Sequence, residues 1–130
     1  MLIFGHPWIE SKKFSKVFTK SEIEHIPAED IILLEPLNAS IDVAHYCIEL
    51  GREYAVVIGS IKEALIANAL GVSYAVCNFE QAIVMQKVAN EYMFDTKILV
   101  LIDDEKGIET NARFGIDGVI FPDAIMHRKQ

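Results

Sequence analysis

Residues 54–78, YAVVIGSIKEALIANALGVSYAVCN, contain one complete unit of the architecture. Tyr54-Ala55-Val56-Val57-Ile58 is an uninterrupted run with no charge at alternate positions. A half-buried strand alternates, so this run predicts a strand covered on both faces, as in parallel sheets. Gly59 ends the run. Ser60 followed by Glu63 has the spacing of a capping box, in which hydroxyl and carboxylate satisfy unpaired amides at a helix start. Ile61, Ala64, Leu65 and Ala69 are then expected to line one helical face toward the sheet. Gly71 supplies a left-handed stop, and Val72 to Cys77 is apolar again before Asn78. A strand that returns after a single helix runs parallel to the first, through a right-handed crossover.

The same plan extends outward in both directions. Upstream, Ile31-Ile32-Leu33-Leu34 is a buried strand ending at Glu35-Pro36. Asn38 or Ser40 can cap the next helix, which Gly51 stops. Downstream, a helix through about residue 92 carries Ala82, Met85, Val88, Ala89 and Tyr92 on a broad face. Met85, Tyr92 and Met93 are expected to pack against the sheet. Strand Ile98–Ile102 ends at Asp103-Asp104, and a shorter helix weakened by Gly107 follows. Gly115 stops that helix, and Gly118–Phe121 is the last strand. The N-terminal part is less regular. Leu2-Ile3-Phe4 is a short strand candidate, and Phe14–Phe18 alternates as a half-exposed edge strand. Ser21 with Glu24 has capping-box spacing before a short turn that Pro27 ends.

With 130 residues, the chain is expected to form a single domain spanning 1–130. A hydrophobic fraction of 52% suits a doubly covered sheet, while no apolar stretch reaches the roughly 18 residues of a membrane span. MLIFGHPWIE lacks the features of a secretory signal. Cys47 and Cys77 have no metal-ligand spacing, so reduced, buried thiols in a cytoplasmic protein are expected. A net charge of −7 opposes nucleic-acid or acidic-membrane partners. Lys12, Lys13, Lys16 and Lys20, with Arg128 and Lys129 at the end, form small basic clusters whose ordinary explanation is a solvated surface.

The regular alternation of strand and helix predicts an α/β fold. The expected form is a three-layer open parallel sheet of five to seven strands with helices on both faces. This layout resembles flavodoxin-like or Rossmann-like domains. Strand–helix spacing and phrases such as GIDGVIF resemble barrel enzymes, but a full barrel takes about 250 residues. The alternative is therefore half of a β/α barrel, completed by a second copy of the chain.

Ligands of open α/β sheets bind beyond the carboxyl ends of the strands. Those ends gather Glu35, Asn38, Ser60, Lys62, Asn78, Asp103 and Asp104 as a candidate rim. Helix capping alone explains many of them. Carboxylates near most helix starts oppose a phosphate, and Gly59-Ser60-Ile61-Lys62 matches neither a P-loop nor GxGxxG. Glu35, Asp103 and Asp104 are weak candidates for a divalent cation with oxygen ligands, although no metal site is assigned and no cofactor is expected. Their placement resembles the acidic pocket of response-regulator receivers. The paired acids come too late in the chain, however, and no matching Thr/Ser–Lys pair follows, so that assignment is rejected. His6, beside Pro7 and Trp8, could border a cleft, but a lone turn histidine is more often exposed or capped.

The expected function is a non-catalytic protein-interaction or small-ligand-binding module that self-associates. Phe4, Trp8, Phe14 and Phe18 could cover a sheet edge or join two copies. The alternative is an enzyme acting on a small metabolite at the strand ends. Convergence of Glu35 and Asp103 in a concave pocket would favour a binder or enzyme over simple capping.

Overall fold

Eight parallel strands and five helices make up the computed structural model, which describes residues 1–127. Arg128 and Lys129 lie outside the described residues. The strands are β1 (Leu2–Phe4), β2 (Phe14–Lys16), β3 (Ile31–Leu34), β4 (Tyr54–Val57), β5 (Tyr74–Cys77), β6 (Lys97–Leu101), β7 (Gly118–Ile120) and β8 (Ile125–Met126). The helices are α1 (Lys20–Ile23), α2 (Ile41–Leu50), α3 (Ile61–Leu70), α4 (Phe79–Glu91) and α5 (Lys106–Arg113). Every pairing is parallel, and the strand order is β1-β7-β6-β5-β4-β3-β2-β8.

The local signals fold as their chemistry dictates. Ser60 Oγ accepts the Glu63 amide at 3.1 Å, while Glu63 Oε1 reaches back one residue further than expected, to the Gly59 amide at 2.8 Å. The first short helix is capped from Thr19 rather than Ser21: Glu22 Oε1 accepts both the amide and the hydroxyl of Thr19, each at 3.1 Å. After α3, Gly71 takes a φ of 83°, a left-handed angle that a side chain would strain. The helix before β6 ends differently, with Met93 at a φ of 50° in the role glycine fills elsewhere.

Strands β3 to β7 follow one another across the sheet without a reversal. Right-handed crossovers taken always in one direction place every connecting helix on the same face. The packing agrees. Ala44 and Cys47 of α2, Ala64 and Ala67 of α3, and Ala82, Met85 and Ala89 of α4 share a cluster with outward strand residues such as Ile32, Val56, Ala75 and Ile98. The opposite strand residues form a second cluster without these helices: Phe4, Phe14, Ile31, Leu33, Ala55, Val76, Leu99 and Ile120. The parallel α/β class is as expected, with two differences. Eight strands are present rather than five to seven, and helical core residues line one face rather than two.

Curling covers the other face. In a flat sheet, β7 and β8 would lie roughly 29 Å apart at about 4.8 Å per strand. The segment from Ile120 to Ile125 spans at most about 18 Å. The sheet therefore bends until its edges approach, the feature expected of a barrel segment. The rings of Phe4 in β1 and Phe14 in β2 meet edge-on at 5.0 Å across the curl. Tyr74 completes a trio of rings inside the curl, 5.4 Å from Phe4 and 5.8 Å from Phe14. The half-exposed edge strand expected at 14–18 is instead the buried strand β2, because β8 pairs along its outer side.

Candidate functional site

Successive residues of a strand face opposite sides, so the inward set inside the curl follows a period of two. Phe14, Leu33, Ala55, Val76, Leu99 and Ile120 belong to the filled interior. Continuing by two residues toward the carboxyl ends gives Lys16, Glu35, Val57, Asn78, Leu101 and Pro122. All six line a pocket of about 510 Å³ at that end of the sheet. Leu33, Val57, Val76, Leu101 and Ile125 make an apolar floor, while Lys16, Glu35, Asn78, Gln81 and His127 supply polar groups. The volume falls within the range of about 300–1,000 Å³ usual for small-molecule sites.

Two of the polar side chains are already engaged. Asn78 Oδ1 caps α4 by accepting the Gln81 amide at 2.8 Å, and Gln81 Nε2 donates to Gly59 O at 3.1 Å. Lys16 and Glu35 are less committed. Lys16 Nζ lies 3.6 Å from Glu35 Oε2, too long for a good hydrogen bond, with 22% and 45% of their side chains exposed. These opposite charges stand on adjacent strands because Lys16 pairs in register with Leu33, two residues before Glu35.

The expected rim separates into distinct places. Glu35 and Asn78 are brought together in the pocket. Ser60 caps α3 and borders a shallow groove between α3 and α4 with Ile61 and Val84. Lys62 is exposed on α3. Asn38 is exposed in the turn Leu37–Ala39, and Ser40 precedes α2. Asp103 and Asp104 are exposed and lie outside the pocket lining; Asp104 Oδ1 accepts the Lys106 amide at 2.8 Å. Glu35 and Asp103 thus do not converge in this pocket, so the convergence that would have favoured a binder or enzyme over simple capping is not met. Among the described residues, no group of three or more His, Cys, Asp or Glu side chains is placed to hold a metal ion.

Lys16 and His127 are pocket residues that sequence reading left among a basic cluster and a tail. A signal for Lys16 existed: as the terminal residue of a strand inside the sheet, it belongs with the other strand-end residues. Its cluster does not persist in space. Lys12 pairs with Glu53 at 2.9 Å, while Lys20 lies 5.9 Å from the Tyr46 ring.

His6 borders a cleft, with Pro7 and Ser11 also in its lining, and is capped and buried rather than exposed. Its Nδ1 accepts the Trp8 amide at 3.1 Å, leaving Nε2 to donate to Glu105 Oε1 at 2.6 Å. Both ring nitrogens are thereby engaged. The two thiols are buried and unpaired. Burial pushes Cys47 up to about 11 and Cys77 up to about 12, which holds both in the weakly nucleophilic thiol form at neutral pH.

Fold and pocket together define a class: a curled parallel α/β domain with a small-molecule-sized crevice at the carboxyl ends of its strands. No protein-family model matches the chain, and no curated protein matches it.

Proposed function

We propose that this chain is a small-ligand-binding module that uses the carboxyl-end pocket and performs no chemistry of its own. The observation that carries this reading is the pocket itself: an apolar floor inside the curled sheet, bordered among the described residues by the opposed charges of Lys16 and Glu35. Pockets of this composition bind through burial and use a few polar groups for orientation. An enzyme reading would enlist Glu35 with Asp103 or Asp104, but only Glu35 reaches the pocket. Buried, unpaired thiols suit a reducing, cytoplasmic setting. Among the described residues no helix is long and apolar enough to cross a membrane.

The test is a thermal-shift screen of small metabolites against the protein and its Leu101→Arg variant. Leu101 lines the pocket yet is 48% exposed, so a charged side chain there obstructs the site without entering the core. A ligand at a hundred times its Kd stabilises the folded state by about 2.7 kcal/mol. Compounds that raise the Tm of the unmodified protein and not of the variant are the expected result. Shifts that survive the substitution, or an absence of shifts, would remove the proposal.

A second reading, self-association, is favoured by apolar side chains left exposed on neighbouring helices. Ile61 and Leu65 of α3 and Val84 of α4 are each more than 40% exposed, and Ile61 and Val84 border the same groove.

A further inference from the structure

Which ligand chemistry fits the pocket follows from what its polar groups have left to offer. Asn78 and Gln81 are committed to capping α4 and to Gly59 O. His127 is exposed, the last described residue. The opposed charges of the lining are Lys16 and Glu35, whose side chains make no hydrogen bond among the described residues and face each other at 3.6 Å. The ammonium has three donors and the carboxylate only acceptors, so each lacks partners that a ligand could supply.

Their combined charge is zero. An anion approaching Lys16 also meets the repulsion of Glu35, and a cation approaching Glu35 meets that of Lys16. A molecule carrying both charges on groups joined through one carbon avoids either penalty by aligning head to tail with the pair. The floor of Leu33, Val57, Val76 and Leu101 then calls for an apolar substituent on the same molecule.

We infer that the crevice takes a small zwitterion with an apolar substituent, the chemistry of a hydrophobic α-amino acid, with its carboxylate on Lys16 and its ammonium on Glu35. This inference rests on the pocket-binding reading above and specifies its ligand class.

The test is titration calorimetry with three probes that share a phenyl group: L-phenylalanine, 3-phenylpropanoate, which lacks the ammonium, and 2-phenylethylamine, which lacks the carboxylate. The expected result is that L-phenylalanine binds the unmodified protein at least about tenfold more tightly than either analogue. In Lys16→Met the advantage over 2-phenylethylamine disappears, and in Glu35→Gln the advantage over 3-phenylpropanoate disappears. The analogue comparison on the unmodified protein is independent of how the variants fold, and circular dichroism checks the variants themselves. An analogue binding as tightly as L-phenylalanine, or affinity indifferent to both substitutions, overturns the inference. So does a lack of binding by all three up to about 10 mM. If that happens while the metabolite screen yields a ligand blocked by Leu101→Arg, the pocket stands and only the zwitterion falls.

Discussion

Met93 shows how one residue can carry a role that the rest of the chain gives to glycine. Its φ of 50° lies in the left-handed region, and its side chain is 85% exposed, so packing returns little for the strain. For an L-residue that conformation costs about 1–2 kcal/mol. Met93→Gly relieves it while adding some unfolded-state entropy, for an expected net gain of about 0.5–1 kcal/mol. Thermal unfolding should register a Tm rise of a few degrees; an unchanged or lowered Tm would mean the strain is absent. Sequence reading expected Tyr92 and Met93 to pack against the sheet with Met85. Only Met85 does, at 2% exposure, because α4 ends at Glu91 and the chain turns outward there. At Gly107 the helix-weakening effect is legible in the sequence and its reason is not: a Cβ there would meet Ile102 Cγ2 at 2.8 Å.

Between elements, the sharpest constraint is Gly118 at the start of β7. A Cβ at this position would come within 2.7 Å of both Leu2 Cβ and Leu99 Cδ2, and 2.8 Å from Leu2 O. These atoms belong to the strands on either side, so relieving the overlap would separate β7 from β1 or β6. Gly118→Ala is therefore expected to destabilise the protein by about 1–3 kcal/mol, the usual scale of overpacking. Chemical denaturation would measure this as a lower midpoint, and a neutral result would show that β1 gives way without cost. Helix positions were more legible than helix faces: of the α3 residues expected to meet the sheet, Ala64 is buried but Ile61, Leu65 and Ala69 are exposed. Ser60 and Asn78 both act as caps at their expected places, and capping residues are chosen by local amide geometry alone. The shortest strands were the least legible. β8 has two residues, too few to carry a period, and its pairing with β2 is what turns an expected edge into an interior strand.

For the whole molecule, one-directional winding has two consequences. It puts the helices outside, and it leaves their outer surfaces to meet either solvent or another chain. Ile61, Leu65 and Val84 on that surface are the basis for expecting self-association. Sedimentation velocity over a concentration series should show a growing dimer fraction, reduced by Leu65→Lys. A strict monomer at high micromolar concentration would dispose of it. The aromatic residues expected to cover an edge divide at this scale as well. Phe4 and Phe14 fill the inside of the curl, while Trp8 and Phe18 remain 89% and 66% exposed.

Periodicity, caps and stops were enough to specify a parallel α/β domain, because each is settled by the residues of one short segment. They also placed Glu35 and Asn78 at strand ends that prove to border one pocket. Strand order was decided only in three dimensions. Nothing local records whether successive crossovers continue in one direction or reverse, and that choice separates a doubly covered flat sheet from one that curls upon itself. Pairing of β2 with β3 sets Lys16 beside Glu35, the curl gathers the strand ends around an apolar floor, and Asp103 and Asp104 stay outside the pocket lining.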